Sequence, residues 1–234
     1  MSVNCRILDL TYLNSKTLSV CLEAEEEFDF LAGQYVQLDM QEHGKYPFSI
    51  ASLPKDNRQF ELHLGGVSPH SALASSVPFL KQRFKEGESV VVEKAKGNAW
   101  LRSNDRKLVL VAGGSGYTYT RSLLQEALKR NPKCDITLYW GCQSEHDLYE
   151  HDYLLELEAS HSGFRYVPVT KVNSNNTMIR EGGLLPLVYQ DVDFRTQPDL
   201  YICGRYEMVQ TAYSHLNKEY DGQLNIYSDA LPCT

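Results

Sequence analysis

Two glycine-bearing segments carry the clearest chemical signal in this sequence. The first reads Val111-Ala112-Gly113-Gly114-Ser115-Gly116-Tyr117-Thr118, after an apolar strand-like run and before a helical pattern. Glycines there let the backbone approach a phosphate closely, and the helix start offers free N–H donors and a favourable dipole. The spacing is not G-x-G-x-x-G, and such a turn by itself is as readily no more than a tight turn. The second segment, Ile202-Cys203-Gly204-Arg205-Tyr206-Glu207-Met208, again ends a strand-like run. Ligands of parallel α/β sheets collect outside the carboxyl ends of the strands, so two such turns at one sheet edge point to a nucleotide. Cys203 would turn a small side chain to that ligand; a strand thiol buried for packing is an equal reading.

A third stretch, Tyr46-Pro47-Phe48-Ser49-Ile50-Ala51-Ser52, sits among alternating strands. Pro47 would interrupt a central ladder, which places this strand at an edge or a start beside a groove. The Ser49 hydroxyl donates and accepts, as a ring with both functions requires, although a strand serine is more commonly a locally satisfied hydroxyl. Glu61-Leu62-His63-Leu64-Gly65-Gly66 leads toward residues 71–77, another strand–glycine–helix turn able to receive a phosphate. His63 alternates onto the face opposite Leu62 and Leu64, a structural position more often than a catalytic one.

Other chemistries find little support. The six cysteines include no C-x-x-C pair, and His146 and His151 are five apart, on different faces of any helix. Lys and Arg total 23 against 30 Asp and Glu, a formal charge of −7 without a basic block. Nucleic acid and anionic membrane are therefore poor partners. No apolar run approaches the roughly 18 residues of a membrane span, and the N-terminus lacks a signal-peptide core. A soluble, cytoplasmic protein is expected.

The elements that must position these residues fall into two regions. Leu18, Val20 and Leu22 alternate, as do Val36, Leu38 and Met40, and Phe60, Leu62 and Leu64. With 3–10, 47–52 and 89–93 they make about six antiparallel strands with little helix, a small barrel or sandwich. From about residue 103, continuous apolar strands (107–112, 135–140, 164–169, 199–203, 223–227) alternate with helical patterns (116–130, one through Leu154 and Leu157, 184–190, 206–219). That is the signature of a parallel sheet covered on both faces. The last helix is expected to bury Met208, Val209, Ala212, Tyr213 and Leu216.

The ordered pieces P-F-S-I-A-S at 47–52, E-L-H-L-G at 61–65, A-W-L-R at 99–102, A-G-G-S-G at 112–116, Y-W-G at 139–141, C-G-R-Y-E-M at 203–208 and Y-S-D-A at 227–230 span the chain. Together they resemble the NAD(P)H:flavin oxidoreductases of the ferredoxin-NADP reductase superfamily, most of all the flavin reductases of bacterial luminescence operons. The resemblance implies an N-terminal antiparallel Greek-key β-barrel for the flavin (1–102) and a Rossmann-like parallel α/β domain for NAD(P)H (103–234). It implies that Tyr46, Pro47, Phe48, Ser49, Ile50, His63, Leu64, Gly65 and Asp229 bind flavin, with the Ser49 hydroxyl near N5 as the catalytic group. Val111, Ala112, Gly113, Gly114, Ser115, Gly116, Cys203, Gly204 and Arg205 would hold the nicotinamide nucleotide. The implied activity is hydride transfer from nicotinamide C4 to flavin N5, on FMN bound loosely (FAD or riboflavin being alternatives), with bacterial luciferase a candidate recipient.

Two departures from the family pattern weaken flavin binding. Many members carry Arg at or near the position of Tyr46, and relatives commonly have an aromatic residue in the tail that here reads Ala230-Leu231-Pro232-Cys233-Thr234. Both suit a protein that releases its flavin. The competing readings are a reductase with tightly held FAD feeding an iron–sulfur partner, and a regulatory nucleotide-binding subunit without turnover. After the second α/β strand, Gly141-Cys142-Gln143-Ser144-Glu145-His146-Asp147 contains no Arg or Lys for a 2′-phosphate. Glu145 and Asp147 would repel one if they face it, so NADH is expected over NADPH.

Overall fold

The computed structural model describes residues 2–54, 58–67, 73, 75–103, 105–172 and 176–231. Its first sheet comprises β1 (Ser2–Asn14), β2 (Thr17–Ala24), β3 (Tyr35–Asp39), β4 (Lys45–Ser49), β5 (Gln59–Gly65) and β6 (Val90–Glu93). The order is β4-β3-β6-β1-β2-β5, with every pairing antiparallel. The edges meet: Ile50, just beyond β4, bridges to Leu62 of β5, and the Ala51 N–H donates to the Glu61 carbonyl at 2.7 Å. This closure makes the sheet a barrel of Greek-key connectivity and removes both edges. Its core is built by the alternation read from sequence, with Leu18, Val20, Leu22, Val36, Leu38, Met40, Leu62 and Leu64 fully buried.

A helix not anticipated at this length, α1 (Ser76–Glu86), packs Val77 and Leu80 into the barrel core. It ends at Gly87, whose φ of +69° suits glycine. Of the expected turn at 71–77, residues 71, 72 and 74 lie outside the described residues, and Ser76 and Val77 already belong to α1. The expected boundary at 102/103 falls between β6 and the next strand, while Ala99 and Leu101 already pack into the second core.

The second sheet contains β7 (Leu108–Gly113), β8 (Ile136–Cys142), β9 (Phe164–Thr170), β10 (Arg180–Glu181), β11 (Asp199–Cys203) and β12 (Asn225–Tyr227), all parallel in the order β10-β9-β8-β7-β11-β12. The intervening helices are α2 (Tyr117–Arg130), α3 (His151–Ser160), α4 (Leu184–Asp191) and α5 (Tyr206–Glu219). The strands are apolar throughout because both faces are covered, giving one core around α2 and α3 and another around α4 and α5. α5 buries Val209, Ala212 and Leu216, whereas Met208 and Tyr213 are only half-buried. His146 stands in a single 3-10 turn and His151 opens α3, so the two do not share a helix. The chain builds β7, β8 and β9 outward and then returns to β11 on the other side of β7. That reversal puts the carboxyl ends of β7 and β11, with their glycine turns, side by side.

Candidate functional site

A cleft of about 1110 Å³ opens at this point, between the barrel and the carboxyl edge of the parallel sheet. Pro47, Phe48, Ser49 and His63 line it from the barrel; Gly113, Gly114, Ser115, Gly116, Cys203, Gly204 and Arg205 line it from the two turns. Those turns are pressed together: a Cβ on Gly204 would sit 3.2 Å from Gly113 Cα, and one on Gly116 would sit 2.3 Å from the Cys203 carbonyl oxygen. The turn Gly114–Gly116 runs directly into the 14-residue helix α2, whose first N–H, on Tyr117, is taken by the Gly114 and Ser115 carbonyls, so the helix start lies in the glycine turn itself. Ser49 closes β4 half-buried, on the strand face opposite Phe48. Gly65 backs onto Ser115, with room for no Cβ (2.5 Å to Ser115 Cβ), so barrel and turn meet directly.

Other residues implied by the resemblance lie away from the cleft wall. Ile50 and Leu64 are fully buried in the barrel core, which Tyr46 also packs against. Val111 and Ala112 are fully buried between sheet and helices and support the turn from below. Asp229 accepts the Asn98 and Ala99 N–H groups at 2.9 and 3.2 Å, tying the end of the second sheet to the segment leaving the barrel. Burial raises its carboxyl above the usual range against those two hydrogen bonds. Burial, with the charge of Asp229, also pushes the Cys203 thiol up to about 12, so Cys203 presents a neutral side chain. Pro232, Cys233 and Thr234 lie outside the described residues.

Residues 110–214 match the oxidoreductase NAD-binding domain family. A probable flavin reductase of Vibrio harveyi is 35% identical over 209 residues, 89% of this chain and 89% of that protein. An NAD(P)H-flavin reductase of Aliivibrio fischeri is 33% identical over 221 residues, 94% of this chain and 93% of the relative. The chain belongs to the flavin reductase family. The fold recurs in a cytochrome P450 reductase of Amycolatopsis (TM-score 0.81, 24% identity, 97% of this chain and 69% of that one). It recurs also in a ferredoxin NADP+ reductase of Neisseria gonorrhoeae (TM-score 0.74, 20% identity, 96% and 97%).

In this family member a polar seam joins the two sheets beside the cleft. His63, its ring fully buried, meets Glu61 through Nε2 and the Tyr149 hydroxyl through Nδ1, both at 3.0 Å. Nε2 thus faces an acceptor-only carboxylate, and Nδ1 a hydroxyl that can donate or accept. Burial alone would raise the Glu61 carboxyl, but His63, the Ser19 hydroxyl and Arg121 hold it down, to about 2. Arg121 of α2 also bonds Glu150 and the Ala51 carbonyl, and Ser122 donates to the Ser52 carbonyl. Tyr149, Arg121 and Glu150 carry no local sequence signal, because their roles depend on partners across the barrel–sheet junction.

The far lobe of the cleft corrects one expectation. Gly141, Cys142 and Gln143 line it, but Asp147 is turned to Lys16 of the barrel (2.7 Å) and to the N–H and hydroxyl of Ser144. Asp147 therefore does not present its charge to a ligand there, and Glu145 is not among the lining residues. Lys171, just after β9, brings a cation into the same lobe; α4 adds Leu184, Leu185 and Pro186. Hydrophobic periodicity places the helix at 184–190 but gives no sign that it, or Lys171, reaches the cleft.

Proposed function

We propose that this chain is an NAD(P)H-dependent flavin reductase in which the barrel (1–102) takes the flavin and the α/β region (103–234) the nicotinamide nucleotide. The observation that carries the reading is the cleft itself: Ser49 from the barrel and the paired glycine turns with Cys203 line one continuous cavity. The turns suit a nucleotide, since Gly114 has φ +57° and Gly116 has no space for a Cβ, so peptide N–H groups and a helix start are open to an anion. The bound pair supplies the chemistry, a hydride passing with its two electrons from nicotinamide C4 to flavin N5. The protein holds both rings at near-attack distance and keeps Ser49 at the flavin edge. Pro47, on the same strand face as Ser49, gives that ring an apolar contact from the barrel.

The flavin is FMN or another free flavin, taken as substrate and released reduced. Support comes from Tyr46, which stands where many relatives carry an arginine for the flavin phosphate. Losing a charge-assisted contact costs roughly 1.5–3 kcal/mol, about tenfold to a hundredfold in affinity. Reduced flavin would then serve an acceptor such as bacterial luciferase in the cytoplasm. Among the described residues no helix is long and apolar enough to cross a membrane.

The purified protein is expected to be colourless after gel filtration and to oxidise NADH only when flavin is added. Retained yellow flavin would favour the tight-FAD electron-transfer reading, and no oxidation with any flavin a non-catalytic nucleotide binder. In the same assay NADH should show a lower KM than NADPH at similar kcat, because the 2′ group is remote from the hydride and changes uniform binding. With Asp147 neutralised by Lys16, the preference rests on the absence of an arginine fork, and Lys171 keeps it to a few-fold. An NADPH KM equal to or below that of NADH would refute it.

Ser49→Ala is expected to lower kcat by about five- to a hundred-and-fiftyfold, the worth of roughly 1–3 kcal/mol for a hydrogen bond to the reacting ring. NADH binding should be nearly unchanged. Wild-type kcat and flavin KM in the alanine variant would remove Ser49 from the reaction.

A further inference from the structure

Of the two tryptophans in the chain, Trp140 in β8 is fully buried, and its indole N–H donates to the Gly114 carbonyl at 3.0 Å. The ring is held on two sides. Tyr117 stacks on it with centroids 3.8 Å apart and 13° between planes, and Tyr149 stands edge-on at 5.2 Å and 81°. Tyr149 is in turn fixed by His63. The indole thus has one orientation, and its single donor is aimed at the glycine turn.

Gly114 is where that turn is least constrained by sterics. It has φ +57°, and a Cβ there would meet nothing within 4 Å. Glycine is conformationally permissive in ψ as well as φ, so no side-chain contact at Gly114 restricts rotation of the peptide plane that follows it. The indole bond, together with the Tyr117 N–H that the same carbonyl accepts, holds the plane. Carbonyl and N–H of a trans peptide point in opposite directions, so anchoring the Gly114 oxygen inward turns the Ser115 N–H outward. Ser115 lines the cleft.

We infer that Trp140 is a positioning residue for nucleotide binding: by fixing the Gly114 carbonyl it presents the Ser115 N–H to the nicotinamide nucleotide. This rests on the proposal that the turn receives that nucleotide. The indole touches no ligand and acts through the backbone. The loss of its N–H should therefore weaken binding in ground and transition states equally.

The experiment is Trp140→Phe, which keeps an aromatic ring between Tyr117 and Tyr149 and removes the donor. The expected result is an NADH KM raised about three- to tenfold, with kcat within twofold and flavin KM unchanged. A purely structural role would lower Tm and leave KM alone, and that outcome overturns the inference. If wild-type protein oxidises no NADH with added flavin, the nucleotide reading itself fails; an unchanged KM against an active wild type sinks only the positioning role. Should Trp140→Phe not fold, NAD+ is titrated into Trp100→Phe, where Trp140 is the sole tryptophan. A saturable change in its emission supports the coupling to the turn, and unchanged emission at saturating NAD+ overturns it.

Discussion

Gly116→Ala is expected to lower kcat/KM for NADH by at least about a hundredfold while leaving a folded protein. A Cβ at this position would lie 2.3 Å from the Cys203 carbonyl oxygen, 2.6 Å from its carbon and 3.0 Å from Gly204 N. All three are backbone atoms at the end of β11, a strand paired along its length with β7. No side-chain rotation relieves the clash, so the two turns must separate. They form one wall of the cleft, and their separation misplaces both the start of α2 and Cys203. A displacement near 1 Å is enough to cost about a hundredfold when reacting groups must be held in contact. The measurement is kcat/KM for NADH at saturating flavin, with circular dichroism and Tm as the folding control. A folded alanine variant within threefold of wild type would mean that the joined turns are not the nucleotide site.

The parallel sheet was legible because its strands are short, continuous apolar runs and its helices carry clear stripes. The expected bounds of β11 and α5 coincide with those of the structure, and Asn131-Pro132 does end α2 at Arg130. The barrel strands were legible from alternation, although that pattern could not show closure, which depends on the non-local Ile50–Leu62 bridge. α1 gave too weak a stripe to be read through, since only Ser76, Val77 and Leu80 are buried. The two-residue β10 is shorter than any periodicity can report.

Within the site, the period of two divides neighbouring residues. Ser49 lines the cleft while Ile50 enters the barrel core, and His63 turns its buried ring to Glu61 and Tyr149 behind the cleft while Leu62 and Leu64 enter the barrel core. A contiguous motif thus contains both ligand-facing and core-facing positions. Non-local geometry supplies what no motif contains: Asp147 neutralised by Lys16, and Lys171 brought beside Gln143 by the pairing of β8 with β9. The seam of His63, Tyr149, Arg121 and Glu150 belongs to the same class.

Cys203→Phe is expected to keep fold and flavin binding but lose NADH oxidation by about a hundredfold or more. Cys203 ends β11 and lines the cleft with a half-buried side chain. Its backbone is packed against Gly116, so the strand cannot retreat to accommodate a larger residue. Asp229, clamped to Asn98 and Ala99, and the fully buried Tyr119 are neighbours of Cys203 that do not line the cleft, and neither has room to move aside. A phenyl ring must therefore project into the space shared with Ser49, where the nicotinamide is proposed to lie. Interiors at native density give no other outlet for the added volume. The thiol itself is neutral and serves as a small surface, so Cys203→Ser and Cys203→Ala should keep turnover within several-fold of wild type. Flavin affinity followed by quenching of flavin fluorescence, alongside NADH oxidation, separates loss of the nicotinamide position from loss of the barrel site. Normal turnover by a folded Cys203→Phe protein would place the nicotinamide elsewhere in the cleft, away from β11.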